Sequence, residues 1–213
     1  MGTVGLLYVG AVLFINGLML LGYVNARSAA PLNVFVGAMQ VVTPTWLIFT
    51  SRGDPDVILN ASGLYLFGFT YLYVGIANLA GQAPVGLGWY SAWVAIMATA
   101  FGITNIVRFH DPTIGLLWLQ WAVLWALFWL VLGLGITRLT PLTGWLTLIL
   151  SFTTCTIPGY LLLLGEWGHV PTWLVLVVIA ATAVVLLPVG MRSLRKPAAT
   201  AGQAEAGIPV SVS

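Results

Sequence analysis

Seven runs of about twenty apolar residues fill this chain, and no Asp, Glu, Lys, Arg or His lies deep inside any of them. About 20 such residues let a helix cross a hydrocarbon core. A backbone in lipid must also satisfy its own hydrogen bonds, so runs this long span as helices. The sequence therefore predicts an all-α polytopic membrane protein, with spans at Gly2–Leu21, Pro31–Thr50, Ala61–Ala80, Trp89–Val107, Thr113–Leu134, Leu142–Leu164 and Thr172–Met191. With 60% of residues hydrophobic and 6% charged, the composition excludes a soluble domain. The connections are short and rich in turn residues, as in Arg52-Gly-Asp-Pro-Asp56 and Arg108-Phe-His-Asp-Pro112, which leaves no room for a second domain. The first run lacks a basic leader and a cleavage site, so it reads as a retained span. The stretch 197–213 is rich in Ala, Gly and Ser and reads as a disordered tail.

The missing charges also bound function. A charge at mid-bilayer costs roughly 2.5–3.5 kcal/mol on insertion scales, so pumps and coupled transporters keep one only where it is used. Here seven basic, five acidic and two histidine side chains all fall in connections, at span ends or in the tail. Such a chain is poorly equipped to relay protons or to hold a coupling ion on a carboxylate. Ion coupling would have to rest on backbone carbonyls. A retinal protein needs a lysine inside its last span, and the only lysine is Lys196. An enzyme is excluded by the lack of a clustered nucleophile, base and acid, of metal-ligand spacing and of a glycine-rich phosphate loop. No cofactor or metal is expected. A net charge of +2 is too small to suggest nucleic acid. The single cysteine, Cys155, reads as a buried structural thiol. What remains is a protein that passes or holds something neutral, or a membrane subunit that transports nothing.

Basic residues set the orientation. With the N-terminus outside, Arg27, Arg138, Arg192, Arg195 and Lys196 are cytoplasmic, and only Arg52 and Arg108 lie outside. The opposite orientation would invert that ratio. The Arg192–Lys196 cluster reads as a stop and an anchor to anionic headgroups.

Three spans carry aromatic or polar residues at helical spacing. The fifth holds Trp118, Trp121, Trp125 and Trp129, spaced 3, 4 and 4, with Leu124 and Phe128 beside them. These indoles form one stripe through the middle of the span, where an interfacial belt does not place them. They either line a pore or pack between helices. The third span repeats aromatics at Tyr65, Phe69 and Tyr73, spaced 4 and 4. The first puts Leu6, Val9, Leu13 and Asn16 on one face. Asn16 and Gln120 are amides near membrane depth, each needing hydrogen-bond partners. A narrow slot walled by aromatic faces with a few neutral donors and acceptors would exclude ions. It would admit flat neutral solutes such as urea and short amides.

Several of these segments, in order, resemble a known family. They are Leu6-Leu-Tyr-Val-Gly10, Asn16-Gly17, Asn33-Val-Phe-Val-Gly37, Leu66-Phe-Gly-Phe-Thr-Tyr-Leu-Tyr73, Trp89-Tyr-Ser91, the tryptophan stripe and Ile157-Pro158. From about Met1 to Trp167 the chain resembles the AmiS/UreI family of bacterial urea and short-chain amide channels. The resemblance implies a six-helix core (residues 1–167) of two inverted three-helix repeats, assembled as a homo-hexamer in the inner membrane. It also implies passive flux of urea or aliphatic amides through one pore per protomer, with a cytoplasmic amidase or urease as the consuming enzyme. Its pore aromatics fall on Phe69, Tyr73, Trp118, Trp121 and Trp125, with Leu124 beside them, and its first-span lining on Leu6, Val9 and Leu13, next to Asn16; Gln120 joins the expected lining as an amide near membrane depth.

Three departures shape the expectation. Acid-gated members carry long outer loops rich in His and carboxylates, whereas here each outer connection has at most one histidine, His110 or His169. One or two such groups cannot make a steep proton gate, which favours the ungated amide branch over a proton-gated urea channel or a proton-coupled transporter. The carboxylate that gated members place eight residues before the proline of the sixth span is Leu150 here. The segment 168–196 adds a seventh helix with a basic cytoplasmic end.

Overall fold

The computed structural model describes residues 2–195; the predicted tail at 197–213 and the charge of Lys196 lie outside them. Seven long helices form, one for each predicted span: α1 Gly2–Leu20, α2 Ala26–Thr50, α3 Pro55–Ala80, α4 Val85–Val107, α5 Pro112–Gly133, α6 Thr137–Leu164 and α7 Thr172–Arg195. There is no β-strand among the described residues. Helix starts extend past the apolar runs because polar caps set them. Asn25 accepts from the Ser28 amide at 2.8 Å, Asp54 from those of Asp56 and Val57, and Asp111 from that of Ile114 at 2.9 Å. Pro55 and Pro112 stand at first helical positions, where a missing N–H costs nothing. Two of the acids, Asp54 and Asp111, are thus helix caps. A third, Asp56, pairs with Arg108 at 2.7 Å on the exposed surface, an arrangement worth at most about 1 kcal/mol.

Two helices change pitch. α5 turns π-helical over Trp129–Gly133, and α6 does so over Ser151–Thr156. In the α6 turn the Ser151 carbonyl also accepts the Thr156 hydroxyl at 2.8 Å.

The first six helices close into a ring in chain order, with tight and loose seams alternating. The tight pairs are α2 with α3, α4 with α5, and α6 with α1. Each tight seam brings backbone against backbone at glycine. A Cβ on Gly37 would meet the α3 backbone at Leu72, one on Gly88 would collide with Gly133, and one on Gly17 would lie 3.0 Å from the Leu148 amide. In lipid there is no hydrophobic force between helices, so close packing must supply the attraction. The loose seams are joined by side-chain hydrogen bonds. Between α1 and α2, Asn16 and Asn33 exchange two bonds of 2.9 and 2.7 Å. Between α5 and α6, the Trp121 indole donates to Thr154 at 2.9 Å, and between α3 and α4 the Tyr90 hydroxyl reaches the Leu66 carbonyl at 3.4 Å. With three spans in each half, α4–α6 cross in the sense opposite to α1–α3.

α7 lies outside this ring. It packs chiefly on α5 and α6, and 11% of its span is buried, against 28–44% for the others.

Gly88→Leu is expected to cost on the order of 1–3 kcal/mol or more, because the α4–α5 seam has no space for a side chain. Gly168, with open space around it, is the control position. Recovery of monodisperse protein from detergent and its thermal midpoint should fall for Gly88→Leu and hold for Gly168→Leu.

Candidate functional site

The fifth helix delivers its indoles to the centre of the ring. Trp118, Trp121 and Trp125 are buried, with Trp125 fully enclosed. Trp129 departs from the stripe. The π turn starts at this residue and brings the α4 backbone against Gly133, and Trp129 lies 5.9 Å from the Trp89 ring with its N–H unpartnered.

A residue the sequence reading passed over ties the three central indoles together. Phe67 of α3 lies 5.5, 5.0 and 5.1 Å from Trp118, Trp121 and Trp125, edge-on to the last two. Phe101 stacks on Trp118 at 4.8 Å. Edge-to-face and stacked contacts of this kind add about 0.5–1.5 kcal/mol each beyond area burial. Two threonine hydroxyls fix the indoles. Thr154 accepts from Trp121 at 2.9 Å, and Thr70 accepts from Trp125 at 3.2 Å. Val9 and Leu13 from α1 and Leu117 and Leu124 from α5 fill the rest, each at most 1% exposed. The result is an aromatic and aliphatic plug that excludes water.

Beside Trp125, toward the end where α1 and α3 finish, lies a cavity of about 90 Å³. That exceeds the roughly 10–15 Å³ needed for one water. Its apolar wall includes Leu13, Leu87, Phe128 and Leu132, and its polar groups come from Asn16, Thr70, Tyr71, Asn78 and Ser91. Most of these are already engaged. Asn16 is paired with Asn33, the Ser91 hydroxyl donates to the Leu87 carbonyl, and the Thr70 hydroxyl donates to that of Leu66. The Tyr71 hydroxyl has no partner, although its side chain is 1% exposed. A buried hydroxyl without a partner costs about 1–3 kcal/mol, so it marks a place where something else accepts or donates. No acidic or basic side chain lines the cavity.

The expected site residues divide between this interior and other faces. Val9, Leu13, Asn16, Trp118, Trp121, Leu124 and Trp125 lie in the plug or at the cavity, and Leu6 packs against it half-buried. The row Tyr65, Phe69 and Tyr73 faces elsewhere. Phe69 is 49% exposed and stacks on Tyr65, whose hydroxyl lies 2.7 Å from that of Thr45, while the Tyr73 hydroxyl abuts Gly86. The interior row of α3 is instead Phe67, Thr70, Tyr71, Val74 and Asn78. Both rows repeat at helical spacing, but only this one carries an amide. Gln120 also points away from the centre. Its amide donates to the Leu116 carbonyl of its own helix at 3.3 Å, and it faces α7.

Comparison with known proteins places this arrangement. The AmiS/UreI family transporter profile matches residues 1–166. A Rhodococcus erythropolis protein named as the transporter AmiS2 is 56% identical over 171 residues, covering 80% of this chain and 83% of its own. A Mycolicibacterium smegmatis protein named as a transporter of amidate substrates is 48% identical over 94% of both chains, which carries the match into α7. The Helicobacter pylori urea channel, solved in its closed state, superposes with a TM-score of 0.71 at 32% identity, covering 78% of this chain and 100% of that one. The chain belongs to the AmiS/UreI family of membrane transporters.

Proposed function

We propose that this chain conducts small neutral amides, urea and short aliphatic amides, passively through the centre of each protomer. The observations that carry the reading are an uncharged cavity directly beside the tryptophan plug and, buried in the same core, the unpartnered Tyr71 hydroxyl. An amide carbonyl can accept from that hydroxyl, and its flat face can lie against Trp125 or Phe128. An ion finds nothing there to replace its hydration shell. Permeation needs the plug to open, and Trp121 and Trp125 are each held by a single hydrogen bond to a threonine. A solute carbonyl can take over such a bond, so ring displacement is coupled to the presence of solute rather than to an ion gradient.

In this reading the lining comprises Val9, Leu13, Asn16, Phe67, Tyr71, Trp121 and Trp125. Leu6, Trp118 and Leu124 support it, and Phe69, Tyr73 and Gln120 serve other contacts. The N-terminus faces outward and the C-terminus the cytoplasm, because Arg27, Arg138 and Arg192 share one side. The family resemblance supports a homo-hexamer in a bacterial inner membrane. Hydrolysis by a cytoplasmic amidase or urease would maintain the inward gradient.

The deciding experiment is stopped-flow uptake of urea and acetamide into proteoliposomes without an ion gradient. Fast uptake supports the reading, and uptake that appears only with an imposed proton or sodium gradient overturns it. Trp125→Ala should raise flux of a longer amide such as butyramide by about tenfold relative to urea, the scale at which a pocket senses added methylenes. Tyr71→Phe should slow amide flux roughly two- to tenfold, the worth of one neutral hydrogen bond, with thermal stability unchanged or raised. Flux should change by less than about twofold between external pH of about 7.5 and 5, since no acidic or basic side chain lines the cavity and the two histidines, His110 and His169, lie apart from it. Both are exposed in connections, and His169 already lies 2.8 Å from Glu166.

A further inference from the structure

α7 leans on the core without filling the space beneath it. Two grooves remain between α7 and the α5–α6 pair, one on each side of Gln120. The larger measures about 350 Å³ and is walled by Leu127, Leu142, Leu146 and Leu150 on the core and by Ile179 and Leu186 on α7. The stretch from Leu142 to Leu150 rises about 12 Å at 1.5 Å per residue. That is close to half of a hydrocarbon core of about 30 Å. The groove thus has the length and apolarity of one leaflet's acyl chain, with Gln120 at its inner end.

The open end of this groove is basic. Arg138 lies one helical turn before Leu142, and Arg192 under two turns beyond Leu186. The turn Thr137–Leu139 packs against α7, so both belong to the same rim. Both side chains are exposed, and neither has an acidic partner among the described residues. The groove on the other side of Gln120 provides the contrast. It measures about 130 Å³ and ends near Trp167 and Val170, where Glu166 and His169 pair with each other. Only the larger groove joins an acyl-length apolar slot to free positive charge.

We propose that this groove is a binding site for an anionic phospholipid, with one acyl chain against α6 and α7 and the phosphate at Arg138 and Arg192. The site lies apart from the central cavity, and the inference does not depend on what that cavity conducts. Arginine suits the role because its planar donors engage phosphate oxygens in pairs.

The test is native mass spectrometry of the detergent-purified full chain with equimolar phosphatidylglycerol and phosphatidylcholine of matched acyl chains. The wild type should retain phosphatidylglycerol about tenfold over phosphatidylcholine, as two arginines near a phosphate would give. Arg138→Gln with Arg192→Gln should keep bound lipid but lose the preference. Ala183 lines the groove, so Ala183→Phe should lose both lipids, with Ala183→Leu as a milder variant if the first fails to fold. An unchanged preference in the double glutamine variant, or unchanged retention in a folded Ala183 variant, overturns the proposal. So does an Ala183 variant that disperses an oligomer without releasing lipid, because a second copy of the chain would then be the occupant.

Discussion

Helices surrounded by lipid gain nothing by hiding apolar surface from one another, so this bundle depends on how closely its backbones can approach. Glycine at Gly37, Gly88 and Gly17 sets that distance in the three tight seams. A ring made only of tight seams would have no room inside. The intervening seams are wider and are held by amide and indole hydrogen bonds, such as the Asn16–Asn33 exchange. The central cavity exists because tight and wide seams alternate. The aromatic plug fills the remainder, and its rings are positioned by hydroxyls of Thr70 and Thr154 rather than by charge.

The interior is polar in a restricted way. Its hydroxyls and amides mostly satisfy one another or their own helix carbonyls, and the Tyr71 hydroxyl and the Gln40 Oε1 are left over. That balance suits a solute with one good acceptor and a flat body. A fully satisfied interior would offer nothing to bind, and a charged one would hold its ligand or attract ions. The departure at Leu150 fits the same pattern. Where gated relatives are expected to carry a carboxylate, this chain has a side chain 1% exposed in the core.

Much of this was legible in the residues. All seven spans could be placed from apolar runs, because length and hydropathy fix a crossing helix almost regardless of neighbours. The tryptophan period groups Trp118, Trp121 and Trp125 on one face, and the structure buries all three. The third span was harder to phase. Residues 65 to 73 hold two interleaved aromatic rows, and periodicity alone cannot say which faces inward. Asn78, on the row of Phe67 and Tyr71, was the available signal. The π turns at Trp129 and Ser151 left no local mark, since they answer to packing against α4 and α1. Gln120 read as a central amide, but its position is defined by α7, which a single-helix pattern cannot reveal.

The alternation of seams has a mechanical consequence. The wall of the ring is three stiff struts, each a glycine-locked helix pair, joined by three compliant joints held by a few hydrogen bonds. Lateral pressure or a change in bilayer thickness would be taken up at the joints and leave the struts intact. Two of those joints, at Asn16–Asn33 and Trp121–Thr154, border the cavity or the plug. Any shift of one helix pair against its neighbour would therefore fall on the cavity and the plug.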